Sequence, residues 1–469
     1  MTVPAQLLSG VAANGCFRLP TSGLAATPFL QAKDSLVGLV APDTSIERLF
    51  FEVIRAADLE EGRLVEVPLG DRAVTYQLVN ELTREEVVQQ KNTFGFVRAQ
   101  AQKIGQWEPA THRFRSVSWL PQPNAPVILM SAAQFQTRAD AVGHFPRTDY
   151  PVRLREEGGR PIGLNALVTH NTAILGILGI GKSFLALELV ERMMANGTKV
   201  LCLDLTNQYA SELTPYHDDA DNTARIQQLQ QVGVAGKTNV KQNVGDGGSR
   251  ATFAAAVKQH ISEFVASANR LLVFNPAQFE VWKQDSKPFS GTASMAPLTP
   301  PEITQIISDA ALQVVSSFGM TEDARLCIVY EEAHSLVPEW NSAVGDGDRA
   351  AANGTARAIL QGRKYGMGCL LITQRTANVT KTILNQCNSV FAMRTFDDTG
   401  KEFLANYLGR SYADVLPNLS ERHAIFFGRA SQCENPVLMR ANDRAAFVQA
   451  FRAAHPPAAG NNGAAAPIV

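Results

Sequence analysis

Cysteine is scarce and scattered in this chain of 469 residues. Its six copies, Cys16, Cys202, Cys327, Cys369, Cys387 and Cys433, form no CxxC pair, so neither a zinc knuckle nor a disulfide framework is indicated. Three sit inside apolar runs, LCLDL, LCIVY and GCLLIT, and read as small buried hydrophobes. Excess positive charge is also missing. Forty-three Lys and Arg face 44 Asp and Glu, a formal charge of -1. This excludes a histone-like grip, and any hold on nucleic acid must come from a local patch. No apolar run approaches the roughly 18 residues of a membrane span, and no secretory leader pattern opens the chain. The expectation is a cytoplasmic protein with no membrane attachment. There is no internal repeat either. What remains, 45% hydrophobic and 19% charged residues, suits a soluble globular protein of roughly two or three domains.

Two textures divide the chain. Up to about residue 145, short β-rich pieces such as SLVGLV, RLFFEVI, RLVEVPLG and AVTYQLV alternate with APD, LEEG and GDR turns, the spacing of a small barrel. Proline and glycine then crowd PQPNAP, HFPRTDYP and REEGGRP, which read as a joint. From about residue 165, apolar runs at 172–177, 199–205, 271–275, 326–331, 368–373, 389–394 and 423–427 alternate with helical stretches such as 183–196 and 302–318. Runs apolar on both faces require a buried, mostly parallel sheet. The expected division is 1–145 barrel and joint, 146–455 α/β domain and 456–469 tail, HPPAAGNNGAAAPIV lacking anything to pack.

The strongest motif is Gly176-Ile-Leu-Gly179-Ile-Gly181-Lys182-Ser183, a complete GxxxxGK[ST] between an expected strand and an expected helix. Its glycines let backbone N–H groups turn inward toward a phosphate at the positive helix end. Gly176, Gly179, Ile180, Gly181, Lys182, Ser183 and Phe184 are thus the candidate nucleotide contacts. Lys182 would neutralise β- and γ-phosphate charge, and Ser183 would offer its hydroxyl to Mg²⁺. Leu178 and Ile180 make the loop apolar, but the donors are backbone groups, so ATP binding should survive.

A second apolar run, LCIVY, ends in Glu331-Glu332-Ala-His334. Glu331 would hold Mg²⁺ through water and Glu332 would orient or deprotonate the attacking water, provided the strand neighbours the phosphate loop. A solvated strand end is the plain alternative. His334 reads first as a satisfied structural histidine, with nucleotide sensing or a partner contact as its functional alternative. A third run, GCLLIT, ends in Gln374-Arg375, where Gln374 could meet the γ-phosphate or the lytic water. Before it, in QGRKYG, Arg363 is a candidate arginine finger, or else an exposed cation at a helix end.

Taken together, the phosphate loop, LCLDLTNQYASEL, YEEAHSLVPE, QGRKYGMGCLLITQRT and ILNQCNSVFAMR resemble, in the same order, the HerA branch of the FtsK/HerA family of P-loop ATPases. The resemblance implies a RecA-like P-loop core after a small N-terminal β-barrel. It also implies a homo-hexameric ring, ATP and Mg²⁺ at the subunit seam, and double-stranded DNA in the pore. Carried over, Lys182 and Ser183 bind nucleotide and metal, Glu332 activates water, Gln374 senses the γ-phosphate and Arg363 enters the neighbour's site. Family members commonly work with a nuclease, and some bacterial relatives pair with a SIR2-like or nuclease effector in anti-phage defence. No nuclease motif is found in this chain, so cutting would need a partner, for which the barrel is the plausible dock.

Between residues 224 and 258, Arg225, Lys237, Lys241, Arg250 and Lys258 outnumber Asp246. Such a stretch suits sequence-independent contact with a DNA backbone, and equally a solvated loop. SKPFSGTASMAPLTPP (286–301) is a second mobile candidate. Two functions of different class follow: an ATP-driven DNA translocase or helicase, and a ring-shaped, ATP-switched scaffold that assembles and regulates an effector. A protein-remodelling ATPase would want an aromatic-glycine pore loop, and no convincing one is found.

Overall fold

The computed structural model describes residues 35–54, 59, 62–70, 72–87, 93–111, 113–131, 134, 163–216, 219–238, 249–285, 294–339, 346–375, 378–379 and 381–456. The expected tail past residue 456, HFPRTDYP and REEGGRP lie outside them. The chain divides into two compact units, one of residues up to Pro161 with Gln432–Arg440, the other of Ile162–Ser431 with Ala441 onward.

The first unit is the expected barrel. Its strands are β1 (Leu36–Val40), β2 (Arg48–Val53), β3 (Leu64–Leu69), β4 (Arg72–Val87), β5 (Thr93–Glu108), β6 (Arg113–Arg115) and β7 (Pro126–Leu129). Antiparallel pairings run β1–β2–β5–β4–β3–β7 and back to β1, closing six strands, while β6 extends β5. Alternation drives closure: Leu49 and Phe51, Val65 and Val67, Val74, Tyr76 and Leu78, and Ala99 and Ala101 all point into one core, as a period of two requires. The proline-rich PQPNAP leads directly into β7, the strand that completes the ring, so that stretch is part of the barrel. Proline is tolerated there because Pro126 is the first residue of its strand. The late segment Gln432–Arg440 joins this unit, where the Gln77 side chain exchanges hydrogen bonds of 3.0 and 2.8 Å with the backbone of Leu438.

The second unit carries β8 (Thr172–Leu175), β9 (Lys199–Leu203), β10 (Leu271–Phe274), β11 (Trp282–Asp285), β12 (Ser294–Pro297), β13 (Thr321–Tyr330), β14 (Tyr365–Thr373), β15 (Ser389–Ala392) and β16 (His423–Gly428). In space the sheet runs β10-β9-β13-β14-β8-β15-β16, parallel except for β15–β16. Each apolar run noted in the sequence is a strand of it. Gly368 is needed in β14 because a Cβ there would stand 1.7 Å from the carbonyl oxygen of Val168, in the helix Leu164–Thr169 packed over it. The helix Pro300–Ser316 begins two residues before the expected start. Prolines 300 and 301 occupy its first turn, where a missing N–H costs nothing, and Thr299 with Glu302 forms a capping box. β11 and β12 pair antiparallel, so the end of the SKPFSGTASMAPLTPP stretch is a hairpin arm followed by a helix start. No described helix is long and apolar enough to cross a membrane.

Candidate nucleotide site

The phosphate loop leaves β8 and enters the helix Lys182–Ala195. Gly179 and Gly181 lie at φ 76° and 98°, left-handed values that favour glycine, and a Cβ on Gly181 would also press the Arg422 side chain at 3.3 Å. The chain behind is tied on by the Arg422 N–H donating to the Ile180 carbonyl at 3.0 Å. Ile180 is buried, whereas Leu178 at the loop tip is 77% exposed and Phe184 45%. Lys182 is buried and donates from Nζ to the Ile177 carbonyl at 2.6 Å. Burial lowers its pKa, with Glu332 and Glu331 opposing the shift.

Strand β13 is not next to β8: β14 lies between them. The neighbour condition set by the sequence is therefore unmet, yet the groups still meet, because the helix start carries Ser183 sideways over the strand ends. Ser183 Oγ donates to Glu331 Oε1 at 3.3 Å. Glu331 is no solvated strand end; it is buried, and Tyr209 donates to its Oε2 at 2.9 Å. Burial, reinforced by Asp204 and Glu332, pushes its carboxyl up to about 7 against the hydrogen bonds from Tyr209 and Ser183. Asp204, fully buried at the end of β9, holds Tyr209 by accepting its backbone N–H at 2.8 Å, together with Thr206 N–H at 2.8 Å and its hydroxyl at 2.6 Å.

Glu332 has a left-handed backbone, φ 52° and ψ 50°. Gln374 Nε2 donates to its two carboxylate oxygens at 3.3 and 3.4 Å, and His334 Nδ1 lies 3.2 Å from Oε2. The structure thus brings Lys182, Ser183, Glu331, Glu332 and Gln374 to the carboxyl ends of β8, β13 and β14. It does not bring Arg363 there. Arg363 is exposed two residues before β14, with Nη2 2.7 Å from His170 Nε2. The nine residues of that strand separate it from Gln374 by about 30 Å. Asp204, Tyr209 and Thr373 complete the site without having been singled out in the sequence; the acid ending the LCLD run was the one available signal.

Of the basic stretch, Arg225 is committed to Asp221 and Glu263, each at 2.9 Å. The helix Asp219–Thr238 runs on through Lys237, whose side chain, like Lys241 and Asp246, lies outside the described residues.

A glycine loop between a parallel strand and a helix, with two acids at a second strand end and a glutamine at a third, defines a RecA-like P-loop ATPase core. Residues 153–284 match the family described as "Helicase HerA, central domain". The matched segment holds the phosphate loop and LCLDLTNQYASEL, two of the motifs on which the resemblance rests. A stretch of 118 residues is 24% identical to the DNA double-strand break repair helicase HerA of Pyrococcus furiosus, covering 24% of this chain and 20% of that protein. Among solved structures the chain is similar to the genome packaging NTPase B204 from Sulfolobus turreted icosahedral virus 2 in complex with ATP-gammaS, at 12% identity over 57% of this chain and 95% of that one, TM-score 0.35. It is also similar to the plasmid coupling protein TrwB in complex with ADP and Mg2+, at 13% identity over 61% and 90%, TM-score 0.38. Likenesses this loose say nothing about activity.

Proposed function

We propose that this chain is an ATP-hydrolysing motor that assembles as a homo-hexameric ring and moves along double-stranded DNA in the service of a partner nuclease or SIR2-like effector, in DNA-end processing or anti-phage defence. The observation that carries the reading is the convergence of Lys182, Ser183, Glu331, Glu332 and Gln374 at one edge of the sheet. Lys182 would release Ile177 and take up phosphate charge, the loop amides of Gly179, Ile180 and Gly181 would cradle the β-phosphate, and Glu332 would orient and deprotonate water.

The residues present fit a magnesium ion. Ser183 and Glu331 offer hard oxygen donors 3.3 Å apart, and no cluster of three metal-binding side chains occurs among the described residues, so phosphate oxygens and water would complete the shell. Bound there, the ion would offset triphosphate charge.

The ring is supported by what one subunit leaves bare. Leu178, Phe184 and Phe396 are exposed by the phosphate loop and after its neighbour β15, while Phe318, Met320 and Leu360 are exposed near Arg363. A head-to-tail contact would cover both sets and carry Arg363 to a neighbour's triphosphate.

The test is phosphate release by the purified protein with and without long duplex DNA. The motor reading expects a several-fold stimulation by duplex that Glu332→Gln abolishes. Hydrolysis indifferent to DNA, with partner activity following nucleotide state, would favour the ATP-switched scaffold instead.

A further inference from the structure

The carboxylate proposed to activate water is restrained from two sides. Gln374 reaches it from the end of β14. From the other side comes His334, on the one-turn helix Ala333–Leu336, its side chain 14% exposed and Nδ1 3.2 Å from Glu332 Oε2. The same Nδ1 lies 3.3 Å from Thr373 Oγ1. Thr373, fully buried as the last residue of β14, also accepts the Arg375 N–H at 3.1 Å. An ionised carboxylate has only acceptors to offer, so the ring nitrogen facing it carries hydrogen. Burial lowers the His334 pKa, with Arg375 and Lys182 acting the same way and Glu332 opposing. A neutral ring with hydrogen on Nδ1 shares that one hydrogen between two acceptors, Glu332 Oε2 and Thr373 Oγ1. A histidine needed only for packing would not require its polar edge aimed at this one acid.

We propose that His334 is a positioning residue for ATP hydrolysis: its Nδ1–H, steadied against Thr373, holds the Glu332 carboxylate in the direction from which it meets the attacking water. In that step the water O–H bond breaks and its proton passes to a free lone pair of Glu332. The oxygen forms its bond to phosphorus, the bridging bond breaks, and the electron pair leaves with ADP. His334 keeps its own proton throughout. The inference rests on reading Glu332 as the activating acid.

The experiment compares phosphate release by wild type, His334→Ala, His334→Asn, Glu332→Gln and the double variant His334→Ala/Glu332→Gln, with Mg-ATP binding and thermal midpoint measured alongside. His334→Ala should lower kcat on the order of ten-fold while KM moves less than about two-fold, the signature of an interaction made in the transition state. His334→Asn should recover most of the loss, since its amide N–H can stand near Nδ1. In the Glu332→Gln background, removing His334 should cost nothing more. Unchanged kcat in His334→Ala, equal loss in the Ala and Asn variants, or a full additional loss in the double variant overturns the inference. Should His334→Ala unfold, the Asn variant decides alone, its near-normal kcat supporting the inference and a lowered one defeating it. A Glu332→Gln protein that turns over like wild type removes the hydrolysis reading itself, and the inference with it.

Discussion

Ser183 Oγ and Glu331 Oε1 meet at 3.3 Å although the strands that lead to them, β8 and β13, are separated by β14. The intervening strand delivers Gln374 and Thr373 into the gap, so three strand ends supply one site. Sheet order thereby decides which polar groups share the phosphate edge.

Lys182 answers for charge at that edge. Lys182→Ala should raise the Kd for Mg-ATP about ten- to hundred-fold, the worth of a charge-assisted hydrogen bond, with the thermal midpoint little altered. Calorimetric titration reads both sides of this. Wild-type affinity in the variant would remove the phosphate-loop assignment.

Arg363 predicts a different pattern. Standing about 30 Å from Gln374 of its own subunit, it can serve hydrolysis only in another copy. Arg363→Ala should bind Mg-ATP normally and lose turnover by roughly 10³-fold. Mixing it with Glu332→Gln subunits should restore part of the phosphate release, because some seams then pair an intact arginine with an intact acid. Mixtures as inactive as their parents would mean that Arg363 takes no part in a neighbour's hydrolysis.

The helix behind the phosphate loop is clamped by buried charge. Glu191 is fully buried, accepts from Arg452 Nε at 2.9 Å and Nη2 at 3.1 Å, and lies 2.6 Å from Arg444 Nη2. Both arginines come from the helix Arg444–Ala454. Glu191→Ala takes the shared carboxylate from both arginines, leaving Arg444 only a 3.7 Å approach to Glu212 among the described residues, and should cost about 3–5 kcal/mol in a urea unfolding series. A cost under about 1 kcal/mol would mean that water takes the place of the carboxylate.

Lys199 makes stability depend on alkaline pH. Its Nζ donates to the carbonyls of Phe264, Ser267 and Asn269, and burial, with Arg270 nearby, pulls its pKa from 10.5 to about 8. Between those values the unfolded chain holds the proton that the folded chain has released, so stability rises with pH through that window. Wild type should therefore gain on Lys199→Met from pH 8 toward 10.5, measured as the difference in denaturation midpoints. A flat difference would mean that the three carbonyls keep the ammonium protonated.

How far the sequence could be read depended on how local the cause was. The phosphate loop is contiguous, and its glycine spacing implies its backbone, so Lys182 and Ser183 were legible before any fold. The strands were legible too, since runs apolar on both faces have few other uses. Tyr209 was not: it reaches Glu331 from a short helix 122 residues away in sequence, and no spacing rule links them. Nor was the place of β14 between β8 and β13, which follows from crossover packing. Arg225 falls between these cases. Its bond to Asp221, four residues earlier on one helix face, was written in the spacing, whereas its second partner, Glu263, lies on another helix.

The closed ring of β1 to β5 with β7 has a consequence for recognition. Around the ring each strand spends backbone hydrogen bonds on two neighbours, and Phe114 of β6 is bridged to Cys433, whereas β4 beyond Leu78 and β5 before Arg98 pair with each other alone. Among the described strands, a protein that docked on the barrel could add a strand along that two-stranded arm, and not along the closed ring. On the ring itself it would have to read side chains and loop shapes, so a specificity change between related pairs would come from surface substitutions and would leave the register of the ring untouched.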